Sequence, residues 1–151
     1  MFDFLKKYNF WDGQKIPCGF FRDSYFDKIR SMTGNKLVKV ILGQRRSGKS
    51  FLLRMIMQHI IDSGVSVNNI LYINKEFDEL NEISDNTSLL KAVNEYIEKM
   101  KPTGKIYLFL DEVQEIDGWE KAVNSFAQNS VTEFEVFITG SNAHMLSGEL
   151  A

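Results

Sequence analysis

The stretch Leu37-Val38-Lys39-Val40-Ile41-Leu42-Gly43-Gln44-Arg45-Arg46-Ser47-Gly48-Lys49-Ser50-Phe51-Leu52-Leu53-Arg54-Met55-Ile56-Met57 decides the fold. Its first six residues are β-branched-rich and apolar and read as a buried strand; its last seven read as a buried helix. Between them, Gly43 to Ser50 fit the pattern G-x-x-x-x-G-K-[ST]. Strand, glycine loop and helix, in that order, form the setting in which backbone amides cradle phosphate. Gly43 and Gly48 permit positive φ and let N–H groups approach an anion that a Cβ would push away. The positive end of the helix adds to that nest. Lys49 is placed to reach β- and γ-phosphates, and the Ser50 hydroxyl to meet Mg²⁺. Gln44, Arg45, Arg46 and Ser47 in the loop, with Phe51 in the first helical turn, complete the candidate contacts to the nucleotide. Read as an ordinary solvated turn, Lys49 makes little sense, because a cation at a helix N-terminus is disfavoured without an anion beside it.

A second apolar run, Lys105-Ile106-Tyr107-Leu108-Phe109-Leu110, follows the turn signal Pro102-Thr103-Gly104 and ends in Asp111-Glu112. An acidic pair at the tip of a buried strand is the Walker B arrangement. Asp111 is the candidate Mg²⁺ ligand and Glu112 the candidate base for the water that attacks a γ-phosphate. Burying both carboxylates without a cation is costly. A third run, Phe134-Glu135-Val136-Phe137-Ile138-Thr139, leads into Gly140-Ser141-Asn142. Ser141 and Asn142 are the first candidates for a group sensing the γ-phosphate or orienting water, with Thr139 third. The competing reading is a plain turn rich in Gly, Ser and Asn.

The 151 residues suffice for one α/β domain, and 44% hydrophobic content for its core. A net charge of −2 supplies no basic footprint for nucleic acid. Cys18 stands alone, so no intrachain disulfide forms, and the apolar stretches are too short for a signal peptide or a membrane span. A cytoplasmic protein without membrane association is expected. Along the chain, residues 1–20 form an aromatic-rich, irregular segment packing on a core that spans 21–151. Arg22 to about Thr33 is expected to be a helix, Ser63-Gly64 to stop the loop helix, and Ile70-Leu71-Tyr72-Ile73 to be a strand. A helix capped near Asn86 or Thr87 carries Leu89, Val93, Tyr96, Ile97 and Met100 on one face. Another runs from Gly118 to about Gln128. Alternating strands and helices predict a mainly parallel sheet in a three-layer α/β/α P-loop NTPase fold. His59 and His144 stand apart from any metal-binding cluster.

GQRRSGKS, LFLDEVQEIDGWEKAV and FITGSNAHMLSGELA together resemble a family of prokaryotic AAA-superfamily ATPases that carry a C-terminal restriction-nuclease-like domain. Arg45, Arg46, Gln114, Trp119 and Ser141 match recurrent positions of that family, and Asn9-Phe10-Trp11 and Phe21-Arg22 match its N-terminal region more loosely. The resemblance implies ATP and Mg²⁺ as cofactors, an additional-strand sheet, and a catalytic Glu beside the Walker B Asp. Family members continue into another strand, a helical lid and the C-terminal domain. The resemblance therefore implies an ATPase core that drives or gates an output domain beyond Ala151. A nucleic acid or protein partner is expected only through that region, and a homo-oligomer is compatible with it. Until the further strand arrives, 37–42 forms an apolar sheet edge that only Lys39 interrupts, and self-association is expected there. Three other readings compete: a GTP-binding switch, from Asn74-Lys75-Glu76-Phe77-Asp78, whose Asp comes one position late; a small-molecule kinase, disfavoured by Glu112; and a nucleotide-gated interaction module with little turnover.

Overall fold

Alternate residues of each strand face opposite sides of a sheet, and here both sides are apolar. The computed structural model describes residues 2–11, 31, 33–35, 37–43 and 48–141. Within them, β1 (Lys39–Leu42), β2 (Ile70–Asn74), β3 (Ile106–Asp111) and β4 (Phe134–Gly140) form one sheet in the order β1-β4-β3-β2. Every pairing is parallel. Each crossover carries a helix or helices, as parallel strands require. These helices are α2 (Lys49–Asp62), α3 (Asn86–Met100) and α4 (Trp119–Ala127). The predicted three-layer P-loop fold is what the chain adopts.

One face of the sheet presents Ile70 and Tyr72 of β2, Phe109 of β3 and Phe137 of β4 to Leu53, Ile56, Met57 and Ile60 of α2. The other presents Leu71, Ile73, Leu108, Leu110, Val136 and Ile138 to Leu89, Val93 and Tyr96 of α3 and to Trp119, Val123 and Phe126 of α4. The same alternation carries Asn74, Asp111 and Thr139, at the strand ends, onto the α2 side. The fold thus delivers polar groups from three strands to the start of the one helix that follows the glycine loop.

Several expectations shift in detail. The first strand begins at Lys39, because Leu37 is exposed and its amide is taken by the Asn35 side chain at 3.0 Å. Among the described residues β1 pairs only with β4, so it lies at a sheet margin as expected. Lys39 does not interrupt that margin as a solvated charge. It is buried, 3.4 Å from the Glu135 carboxylate of β4. The helix before Met100 is capped one residue earlier than expected: Asp85 accepts from Ser88 N at 2.8 Å in a capping box. The expected helix from Arg22 to Thr33 falls almost entirely outside the described residues.

The N-terminal segment is corrected more substantially. It opens with a short helix, α1 (Phe2–Lys7), in place of irregular chain. Leu5 and Trp11 join the α3 side of the core and Phe10 the α2 side, so the segment wraps the margin of β2. The Asn9 side chain there replaces a missing strand: Nδ2 donates to Tyr72 O at 3.0 Å and Oδ1 accepts from Tyr72 N at 2.7 Å. Trp11 Nε1 donates to Ile70 O at 2.9 Å.

Candidate active site

Gly48 sits at φ 90°, ψ 9°, and opens α2 with no side-chain cap and no acid in the first turn. A Cβ there would meet no atom within 4 Å, so the glycine serves backbone conformation and leaves room for an incoming group. Lys49, next in the chain, is buried. Its ammonium donates to Gly43 O at 2.6 Å and Ser141 Oγ at 3.0 Å and pairs with Glu112 Oε1 at 3.2 Å. Ser50 Oγ donates to Asp111 Oδ2 at 2.6 Å. Phe51 is largely exposed with the Arg54 guanidinium 5.4 Å from its ring centroid, and both line a cleft of about 350 Å³. Gly48, Lys49, Ser50 and Glu112 line the same cleft.

Asp111 closes β3 and is fully buried. Oδ1 accepts from Thr139 Oγ1, and Oδ2 accepts from Tyr72 Oη at 2.7 Å as well as from Ser50. Glu112 lies at φ 58°, ψ 52°, a left-handed conformation that a non-glycine residue adopts only when its surroundings hold it there. Its amide donates to Thr139 Oγ1 at 2.9 Å. Its carboxylate accepts from Ser141 Oγ, 2.8 Å and 2.6 Å from the two oxygens, and from Gln114 Nε2. Burial alone would raise the Glu112 pKa. The hydrogen bonds from Gln114 and Ser141 and the Lys49 ammonium outweigh it and hold the carboxyl below the usual range. Gln114 Oε1 is buried and has no hydrogen-bond partner among the described residues.

The site candidates Gly43, Gly48, Lys49, Ser50, Asp111, Glu112 and Ser141 therefore come together at the ends of β1, β3 and β4 and the start of α2. Gln44, Arg45, Arg46, Ser47, Asn142 and His144 lie outside the described residues. Thr139, ranked third as a phosphate sensor, is instead wholly buried between Asp111 and the Glu112 amide. Two residues of the guanine-reading alternative are engaged within the fold: Asn74 Nδ2 donates to Tyr72 Oη, and Lys75 Nζ to Leu80 O at 2.6 Å. Tyr72 joins this cluster through Asp111, although in the chain it reads as one more strand aromatic.

The donor set fits the groups the motif implies. Ser50 hydroxyl and Asp111 carboxylate are hard oxygen donors, which suit Mg²⁺, an ion that takes few protein ligands and completes its shell with phosphate oxygens and water. Among the described residues there is no group of three or more His, Cys, Asp or Glu that could hold a metal ion. No described helix is long and apolar enough to cross a membrane.

An all-parallel sheet with a P-loop helix and an acidic strand tip defines a P-loop NTPase core. Residues 35–151 match the AAA domain family, and the chain belongs to it. The chain is 37% identical over 130 residues to an uncharacterized protein of Haemophilus influenzae, covering 86% of this chain and 32% of that protein. It is 35% identical over 117 residues to an uncharacterized protein of Methanocaldococcus jannaschii, covering 76% of this chain and 23% of that one. The chain thus spans a third or less of these relatives. A Walker-type ATPase of Pyrococcus abyssi shares the fold at a TM-score of 0.56 and 20% identity, over 84% of this chain and 47% of that one.

Proposed function

We propose that the protein binds ATP with Mg²⁺ at this cluster and hydrolyses it to drive or gate an output domain. In this reading residues 21–151 form the ATPase core and residues 1–20 pack along it. The output domain is the restriction-nuclease-like one that the sequence resemblance implies. The observation that carries the reading is that Lys49, at the start of α2, meets Glu112 and Ser141 while the next residue, Ser50, meets Asp111 at the end of β3.

Lys49 holds the β- and γ-phosphates, exchanging the Glu112 carboxylate and the Ser141 and Gly43 oxygens for phosphate oxygens. Ser50 and Asp111 hold the cation, which when bound neutralises charge developing on the transferred phosphoryl group. Releasing Lys49 removes one of the contacts that keep Glu112 a weak base. Glu112 then accepts a proton from the attacking water, and Ser141, already bonded to it, orients that water. Main-chain amides of the loop and first helical turn complete the phosphate nest.

Calorimetric titration of ATP and GTP with Mg²⁺ into the protein and its Lys49→Ala variant tests the reading. A charge-assisted contact contributes about 1.5–3 kcal/mol, so ATP affinity should fall at least tenfold in the variant. Equal ATP affinity in both proteins, or preference for GTP, would remove it.

A further inference from the structure

Tyr72 lies in a row of aromatic residues that crosses the sheet on the α2 side. It is paired in register with Phe109, which is paired with Phe137, and the two phenylalanine rings stack 4.6 Å apart. All three side chains are buried in the same apolar cluster. Phenylalanine fills two of these places, so packing alone does not account for the hydroxyl at the third.

That hydroxyl occupies a directed chain of hydrogen bonds. Glu76 N donates to Asn74 Oδ1 at 2.9 Å, Asn74 Nδ2 donates to Tyr72 Oη at 3.1 Å, and Tyr72 Oη donates to Asp111 Oδ2 at 2.7 Å. Each bond points the same way and ends on the carboxylate, the arrangement in which successive bonds polarise one another. We propose that Tyr72, oriented by Asn74, is a positioning residue for the divalent cation, fixing the Asp111 carboxylate against Ser50. The inference rests on the Mg²⁺ reading of Ser50 and Asp111 above.

The geometry explains why Asp111 requires such a partner. Asp111 Oδ2 accepts from both Ser50 and Tyr72. The Ser50 hydroxyl has one hydrogen and two lone pairs, so it can keep its bond to Oδ2 while a lone pair faces a cation. Tyr72 remains on that oxygen and Thr139 on the other, so the carboxylate keeps its rotamer when the ion arrives. A ligating carboxylate depends on such outer contacts, and their loss typically lowers metal affinity about 10- to 100-fold.

The test compares the wild-type protein with Tyr72→Phe, Asn74→Ala and Asp111→Asn. Mn²⁺ binding is followed by electron paramagnetic resonance with Mg²⁺ as competitor, and the affinity of a fluorescent ATP analogue is measured with metal and in chelator. Tyr72→Phe is expected to raise the metal midpoint about tenfold or more while metal-free nucleotide affinity stays within about twofold. Asn74→Ala should shift the midpoint the same way by less, and it answers the question alone if Tyr72→Phe does not fold. An unshifted midpoint in Tyr72→Phe, with metal binding lost in Asp111→Asn, would overturn the role of Tyr72 and leave the cation site standing. Equal losses with and without metal would reduce Tyr72 to a packing residue and overturn the proposal. Metal-independent nucleotide binding by the wild type would overturn both readings.

Discussion

Glu112 owes its left-handed backbone to what surrounds it: Thr139 takes its amide, and Gln114, Ser141 and Lys49 take its carboxylate. Gln is nearly isosteric and can keep the contacts to Gln114 and Ser141, but it accepts no proton. Glu112→Gln is therefore expected to bind ATP as the wild type does and to lose about 10²- to 10⁴-fold in turnover. Asp111→Asn should instead lose its dependence on Mg²⁺ concentration. Single-turnover assays across a metal titration distinguish them, and an exchange of the two phenotypes would reverse the assigned roles. At this scale the chain was legible where the residues that meet in the candidate site are contiguous, as in Gly48-Lys49-Ser50 and Asp111-Glu112. It was illegible wherever register decides. Nothing local to Thr139 says that its hydroxyl meets a carboxylate on the neighbouring strand. Nothing local to Tyr72 separates it from Phe109, although both point to the same face.

Single side chains also set the ends and margins of the elements. Asp85 caps α3, accepting from Ser88 N while the Ser88 hydroxyl accepts from the Asp85 amide at 3.0 Å. The bonds that the Ser88 amide and hydroxyl donate to the Asp85 side chain favour the ionised carboxylate, so the Asp85 pKa lies below its ordinary value, chiefly through the Ser88 amide. A depressed carboxyl pKa contributes stability that is fully present above the unfolded-state value and fades as pH falls through the folded-state one. The cap contribution should therefore be constant at neutral pH and fade below about pH 4. Asp85→Asn should keep a cap and lack this acid-dependent part, whereas Asp85→Ala should melt lower at pH 7. Parallel melting curves for wild type and Asp85→Asn from pH 7 to pH 2.5 would contradict the assignment. The margin of β2 is closed by Asn9, whose amide bonds both backbone groups of Tyr72. Asn9→Ala should lower stability by about 1–3 kcal/mol by leaving those groups buried and unmatched, as read by denaturant unfolding; a change under 0.5 kcal/mol would show that water replaces the amide. In the described part of the aromatic N-terminus, Leu5, Phe10 and Trp11 pack on the core. Its pairing with the strand margin was not legible in the chain, because a side-chain amide standing in for a strand leaves no periodic pattern.

Across the whole molecule the sheet has two differently built ends. At the carboxyl ends of the strands the polar groups form the candidate site. Toward the opposite end, Glu135 of β4 is fully buried between Lys39 of β1 and Lys105, which precedes β3, and it also accepts from Gly34 N at 3.2 Å. One carboxylate thus ties neighbouring strands and the turn leading into β1. In the chain Glu135 is a lone acid in an apolar strand and Lys39 a lone base in another, and only the parallel register brings them together. Removing one partner of a buried ion pair leaves the others charged and uncompensated, which costs about 3–5 kcal/mol. Glu135→Ala is therefore expected to unfold several degrees lower, by calorimetry or denaturant titration. Replacing the pair together, as Lys39→Met with Glu135→Leu, should recover much of that loss, because an apolar pair of similar volume carries no desolvation cost. The site lies at the other end of the strands, so the nucleotide affinity of folded Glu135→Ala protein should match that of the wild type. A large affinity loss with intact stability would mean that this buried cluster sets the geometry of the site, and the division of the sheet into a structural and a functional end would fail.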